Sequence, residues 1–263
     1  MKAQDKPDKH EALLALIRKL LEEDEENRDN YGASRIFLAV RNRYSYTGGY
    51  STLCRLCRSN GITLKKKYRP NGLTKADKNA QKSENLIKQD FSATKPNEKW
   101  LSDITEVPCA DVKLYVAPIF DCFDGSITGL AMDDNMRKEL CIKAFEQACR
   151  RQKATGMILH TDRGSQFTSH DFRASLSKYQ AIQSMSGTGR CYDNARMESF
   201  FATLKKEKLY RIRTRELPMT TVKGIIWRYV EGYYNHRRIY TPNDGYPPLV
   251  LRRMYYEQQQ SAA

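Results

Sequence analysis

Apolar residues recur at helical spacing near the start of the chain, at Leu13, Leu14, Ile17, Leu20 and Leu21, before an acidic run breaks the stripe. The pattern predicts a helix over 10–26. A second helix is expected over Tyr31–Val40. A third is expected from Ser51 to about Ser59, after a turn containing Gly48 and Gly49. Ser51 has the hydroxyl of an N-cap, and Gly61 has the backbone freedom to stop the third helix. Short helices joined by glycine-containing turns fit helix-turn-helix geometry, and they also fit a plain helical packing domain. From Lys65 to Lys99 large apolar residues thin out and Lys, Asn, Pro and Asp take over, which reads as a linker. Its basic head, Lys65, Lys66, Lys67 and Arg69, reads either as a solvated tether or as a track for DNA phosphates.

The pattern then changes period. Leu101–Val107, Lys113–Phe120 and Ser126–Met132 read as three strands, with Asp111 and Gly125 at the turns between them. Asn135–Arg151 is a helix whose stripe is Leu140, Ile142, Ala144, Phe145 and Ala148. A short buried strand is expected over Gly156–His160, a helix over Ser169–Tyr179, a strand over Ile182–Met185 and a helix over Ala195–Lys208. Near the end, Ile225, Ile226, Trp227 and Val230 fit an amphipathic helix closing the core. Tyr229, Tyr233, Tyr234, His236, Arg237 and Arg238 mix aromatic and basic groups in the way that suits unpaired DNA ends. The expected division is a small helical domain over 1–64, a basic linker over 65–98, an α/β core over 99–210 and a helical, basic extension over 211–263.

Charge narrows the partner. The 263 residues carry 45 Lys and Arg against 31 Asp and Glu, a formal net charge of +14. With a mean hydropathy of −0.71, the expected anion is nucleic acid rather than a membrane surface. No apolar run approaches a membrane-spanning length, and the charged start has no signal-peptide core, so a cytoplasmic, nucleoid-associated protein is expected. Seven scattered cysteines argue against a disulfide framework. Cys54 and Cys57 share a helix face but lack a second ligand pair for zinc, and read as buried small apolar groups.

Three carboxylates stand out. Asp103 lies in the strand-like run Trp100-Leu101-Ser102-Asp103-Ile104-Thr105, on the face shared by Leu101 and Thr105. Asp162 follows an apolar strand in His160-Thr161-Asp162-Arg163-Gly164, and Glu198 sits on the helix starting near Ala195. Acids held on a sheet and an adjoining helix form a hard-oxygen site for two Mg²⁺ ions roughly 3.5–4 Å apart, with Mn²⁺ able to substitute. Lys205, seven residues after Glu198, falls on nearly the same helix face. Asp121 is the reserve ligand, Asp124 a turn residue, and Asp193 and Asn194 are candidate caps of the catalytic helix. His160 reads either as a neighbour of the site or as a satisfied core histidine.

The flanking words carry a family resemblance. Trp100–Thr105, then His160-Thr161-Asp162-Arg163-Gly164-Ser165-Gln166-Phe167-Thr168-Ser169, then Cys191-Tyr192-Asp193-Asn194-Ala195-Arg196-Met197-Glu198-Ser199-Phe200-Phe201-Ala202-Thr203-Leu204-Lys205 resemble the DDE transposases of bacterial insertion sequences. The closer likeness, from about Tyr31 to Pro248, is to their OrfB-type proteins with a retroviral-integrase-like core. The resemblance implies an RNase H-like α/β fold, a mixed sheet flanked by helices, preceded by the small all-α, helix-turn-helix-like domain. It implies catalysis and metal binding by Asp103, Asp162 and Glu198, with Asp103 bridging both ions, and a phosphate-holding role for Lys205. Gln166, Lys206, Arg237 and Arg238 are the further expected DNA contacts. The family's Tyr-Asn-x-x-Arg word is matched by Tyr234–Arg238. Beyond it, Ile239-Tyr240-Thr241-Pro242 and Gly245-Tyr246-Pro247-Pro248 depart from the common pattern. The implied activity is metal-dependent DNA strand cleavage and transfer at element ends, by a homo-oligomer assisted by an upstream-frame helix-turn-helix and leucine-zipper protein. The competing function is a DNA-binding regulatory or assembly subunit with little catalysis of its own.

Overall fold

The computed structural model describes residues 9–24, 28–62, 83–187 and 191–262. The chain divides into two compact units, Met1–Asn71 with Arg238–Pro247 and Gly72–Arg237 with Pro248–Ala263. The stretch expected as one extension, 211–263, is thus shared between them.

The first unit holds α1 (Lys9–Glu22), α2 (Ala33–Tyr44) and α3 (Tyr50–Ser59). Their stripes meet in a core of Leu13, Ile17, Leu20, Ile36, Val40 and Leu53, joined by Ile239. Arg41 pairs with Asp244 at 2.7 Å and Asn42 donates to the Asp244 carbonyl, which fastens the 238–247 segment to α2. Ser51 is not the cap of α3; Gly49 holds that position without a side-chain bond. Gly61, at φ +68°, does end the third helix as expected. Cys57 is buried while Cys54 is partly exposed, and both are free thiols. The basic head of the linker, Lys65, Lys66, Lys67 and Arg69, lies outside the described residues.

The second unit is built on one mixed sheet. Its strands are β1 (Lys99–Ser102), β2 (Thr105–Pro108), β3 (Lys113–Asp121), β4 (Ile127–Asp133), β5 (Ile158–Thr161) and β6 (Ile182–Met185). In space they run β4, β3, β1, β5, β6, with β2 continuing the line of β1 along the same edge of β3. The expected single strand over Leu101–Val107 is therefore interrupted at Asp103 and Ile104. Both halves keep one register on β3, Ser102 opposite Ile119 and Thr105 opposite Val116, so position 103 falls opposite Pro118. Proline has no N–H to donate, and the ladder breaks there.

Helices cover both faces. Leu101, Val116 and Phe120 pack on α7 (Ala195–Glu207) and α8 (Met219–Trp227) through Met197, Phe200, Leu204 and Ile226. Trp100, Ala117, Ile119 and Leu159 pack instead on α4 (Lys138–Gln152) and α6 (His170–Lys178) through Ala144, Phe145, Ala148 and Phe172. Gly129 is where α4 crosses β4 most closely, since any side chain there would collide with the Ala144 carbonyl. Short α5 (Ser165–Thr168) precedes α6, and α9 (Pro248–Ser261) ends the chain. Antiparallel β1–β3–β4 followed by parallel β5 and β6, with helices on both faces, is the RNase H-like order.

Two expectations change. Residues 83–98 dock on the core rather than hanging free as the linker's end. Leu86 N–H donates to Ser184 Oγ at 2.9 Å, Met185 N–H donates to the Glu84 carbonyl at 3.2 Å, and Ile87 is buried. Tyr229, Tyr233 and Tyr234, expected to face DNA, lie in the core along a π-helical turn over Arg228–Tyr234. Ile226 and Val230 close the core as expected, whereas Trp227 is exposed.

Candidate active site

Sheet register brings the first two acids together. Parallel β1 and β5 set Lys99, Trp100 and Leu101 beside Ile158, Leu159 and His160. Carrying that register two residues on sets Asp103 beside Asp162, just past the ends of both strands, and neighbouring strands lie about 4.8 Å apart. Alternation gives Asp103 the face of Leu101, which belongs to the layer packed on α7. α7 carries Glu198, exposed on its surface, and Lys205, partly buried.

The charges of the other three groups all act on the Asp103 carboxyl. The Asp103 carboxyl is pushed up to about 7, first by desolvation and then by the charge of Asp162. A 2.7 Å bond from the Ile104 amide to Oδ1 works against the shift, the Glu198 charge adds to it, and the Lys205 ammonium lowers it. Asp162 also lies above its ordinary value through desolvation, opposed by the Gly164 amide at 3.0 Å, although its side chain reaches solvent. Cys141 of α4 is close enough to feel both aspartates. Burial first, and those charges next, push its thiol far up, so it stays protonated.

The start of α7 is tied to the end of β1. Asn194 Nδ2 donates to the Ser102 carbonyl at 3.2 Å, one residue before Asp103. Arg196 donates to the carbonyls of Cys122 and Phe91 at 2.8 and 3.1 Å. Neither expected cap acts as one. Asn194 makes no side-chain cap bond, and Asp193 accepts from Asn85, Gln89 and the Gly187 amide at 2.8–3.0 Å, which secures the 83–98 segment. A polar residue before a helix looks like a cap in sequence, so these tethers had no separate signal.

The remaining expected residues divide. Gln166 Nε2 donates to the Met136 carbonyl at 3.0 Å, joining the turn after Asp162 to the loop after β4. Lys206 and Arg237 are exposed, the latter bonded to the Gly232 carbonyl at 3.2 Å. Arg238 is only 4% exposed, with its guanidinium 5.7 Å from the centre of the Tyr240 ring, so it is packed inside rather than offered to a phosphate. His160 is fully buried between Ser184 Oγ at 2.8 Å and Ser186 Oγ at 3.1 Å. Burial pulls it down to about 4, which makes it a neutral core histidine. The reserve ligand Asp121 lies opposite Trp100, not Asp103, and is buried in an ion pair with Arg252 at 2.6 Å.

Among the described residues no three His, Cys, Asp or Glu side chains form a ready metal cage. The donor set still fits hard divalent ions. It is all carboxylate oxygen, and the charges of Asp162 and Glu198 both raise the proton affinity of Asp103, a repulsion that a cation would offset.

Residues 93–191 match the family described as integrase core domain. The chain is 34% identical over 233 residues to an uncharacterized 31 kDa protein of insertion element IS600 from Shigella sonnei, covering 88% of this chain and 84% of that one. It is 33% identical over 225 residues to the transposase InsF for insertion sequence IS3A of Escherichia coli K12, covering 84% and 76%. Among solved structures, a chain of the simian T-cell lymphotropic virus intasome in complex with PP2A regulatory subunit B56 gamma aligns with a TM-score of 0.48 at 16% identity, over 85% of this chain and 70% of that one.

Proposed function

We propose a two-metal cutting and joining chemistry for this chain, which belongs to the insertion-sequence transposases with an integrase core. As a transposase it is a polynucleotidyl transferase acting on DNA. Asp103, Asp162 and Glu198 would hold two Mg²⁺ ions, with Mn²⁺ able to substitute. Bound there, the ions would supply acidity for an attacking hydroxyl and counter-charge for the leaving oxygen.

The chain's own groups do the rest. Asp103 Oδ1 and Asp162 Oδ1 are each engaged by a backbone amide, which orients both carboxylates and leaves the second oxygen of each for a ligand. Burial and the Asp162 charge raise the Asp103 carboxyl to about 7, and positive charge arriving beside it would favour its ionised form. Lys205 stands beside it to take a non-bridging phosphate oxygen. Water attacks first and frees a 3′-OH, which then attacks a second phosphodiester, so no enzyme nucleophile is needed. The protonated Cys141 is consistent with that economy.

The observation that carries the reading is the β1–β5 register, which sets Asp103 beside Asp162 on the face packed against α7, where desolvation first and then the charges of Asp162 and Glu198 raise the Asp103 carboxyl. Gln166, Lys206 and Arg237 are proposed as DNA contacts. An upstream-frame helix-turn-helix and leucine-zipper protein is the proposed partner for end recognition, with a homo-oligomer of this chain on the DNA. No helix among the described residues is long and apolar enough to cross a membrane, and the proposed place of action is the nucleoid.

Glu198→Gln keeps the shape and removes a charged ligand. Mg²⁺-dependent cutting and joining of labelled terminal-repeat DNA, with the upstream protein present, should fall by about 10²-fold or more. Metal-free DNA binding should persist. Equal activity in the variant would overturn the assignment, and inactivity of both proteins with binding intact would favour the regulatory role.

A further inference from the structure

A cleft that shares only Lys205 with the chemistry above lies next to the carboxylate centre. It lies between β2 and the two single turns that follow α7, Leu209–Arg211 and Thr214–Glu216, and its volume is about 570 Å³. That is the size range of sites that enclose a small ligand. The segment is fixed in place. Ala110 N–H donates to the Leu217 carbonyl at 2.9 Å and Met219 N–H to Asp111 Oδ1 at 2.9 Å, clipping it to the β2–β3 turn.

The lining has two characters. Val107, Pro108, Leu209 and Ile212 make apolar walls, and Tyr210, 49% exposed, leaves its ring accessible at the edge. Lys205, Arg213 and Arg215 supply positive charge. The two carboxylates on the rim are already paired, Glu106 with Lys113 at 3.2 Å and Glu216 with Arg213 at 3.3 Å. Among the described residues, Lys205 and Arg215 have no such partner. Lys205 follows Glu198 by seven residues on α7, nearly two turns, so it joins the cleft to the helix face that carries that carboxylate.

An apolar slot with an exposed aromatic ring and free cations suits one occupant, a nucleotide whose base has left the stack. Bases within a duplex offer no flat face to such a slot, whereas an unpaired base stacks on an aromatic side chain while cations track its phosphates. We propose that this cleft is a subsite for an unpaired nucleotide of the DNA strand being processed. The base would lie against Tyr210 and the apolar walls, and the flanking phosphates on Lys205 and Arg215. The placement rests on the reading of Asp103, Asp162 and Glu198 as the centre where DNA is cut.

The test is binding of the full chain to a short single-stranded oligonucleotide in EDTA, followed by fluorescence anisotropy, with a blunt duplex of equal length as the second probe. Tyr210→Ala should weaken single-strand binding by about fivefold or more, and Tyr210→Phe should restore it. Duplex binding should be unchanged in both. Arg215→Ala should flatten the salt dependence of single-strand binding by about 0.7. An abasic residue moved along the oligonucleotide should weaken wild-type binding at one position and lose that effect in Tyr210→Ala. Wild-type binding of both probes by Tyr210→Ala would overturn the proposal, as would an equal loss on both. Because no metal is present, these results do not depend on Glu198→Gln, and a failed catalytic assignment would leave them standing.

Discussion

A methyl group added at Gly164 would meet Gln166 Oε1 at 2.5 Å and Asp162 Oδ1 at 3.1 Å. The glutamine can swing aside, but only by giving up its bond to the Met136 carbonyl, and the Asp162 carboxylate must then shift by a few tenths of an ångström. Misplacement of about 1 Å can cost about 10²-fold in rate, so Gly164→Ala should cut DNA about tenfold more slowly and need more Mg²⁺. The urea midpoint should barely move. A wild-type rate at sub-saturating Mg²⁺ would show that the turn has slack. At this scale the sequence was informative. Glycine two residues after Asp162 marked the end of a strand, and alternation gave Asp103 the face of Leu101, without saying which helix covers it. Arg238 was misread because Tyr-Asn-x-x-Arg says nothing of burial.

Elements were read well where a period ran on and poorly where pairing decided. β3, β4, β6 and α7 fall within a residue or two of their expected bounds because alternation or a helical stripe marks each one. The break at Asp103 was hidden, since it depends on which residue of β3 stands opposite, and that residue is Pro118. The same blindness made Asp121 a reserve ligand. Antiparallel pairing carries it to the far end of β1, where Trp100 Nε1 donates to it at 3.1 Å and Arg252 binds both Asp121 and Asp124 at 2.6 Å. Arg252 is thus the pin of α9 on the core, and its side chain is nearly as buried as the two acids it serves. Arg252→Met would remove the cation that the two buried carboxylates share, a defect of about 3–5 kcal/mol in a urea unfolding curve. Adding Asp121→Asn and Asp124→Asn should recover part of that loss. No recovery would mean that the arginine acts by packing alone. The docking of 83–98 was illegible for a related reason, because its anchors are single bonds, from the Asn85 and Gln89 side chains to Asp193 and from the Leu86 amide to Ser184, with no repeating pattern.

For the whole molecule, a net charge of +14 states that the partner is anionic but not which cations meet it. Burial separates them. Lys206 and Arg237 are exposed and Lys205 is partly so, whereas Arg238 is packed against Tyr240. Each cation that neutralises a phosphate of duplex DNA contributes about 0.9 to the slope of log affinity against log salt, through release of condensed counter-ions. Metal-free titrations of the full chain on duplex DNA at several salt concentrations should therefore sort the variants. Lys205→Ala, Lys206→Ala and Arg237→Ala should each flatten the slope by nearly one unit without lowering the urea midpoint. Arg238→Ala should do the reverse, keeping the slope and losing stability, because its positive charge is spent inside the protein. If Arg238→Ala flattened the slope at unchanged stability, the arginine would have to leave its buried place to reach DNA, and the assignment of surface cations by burial would fail.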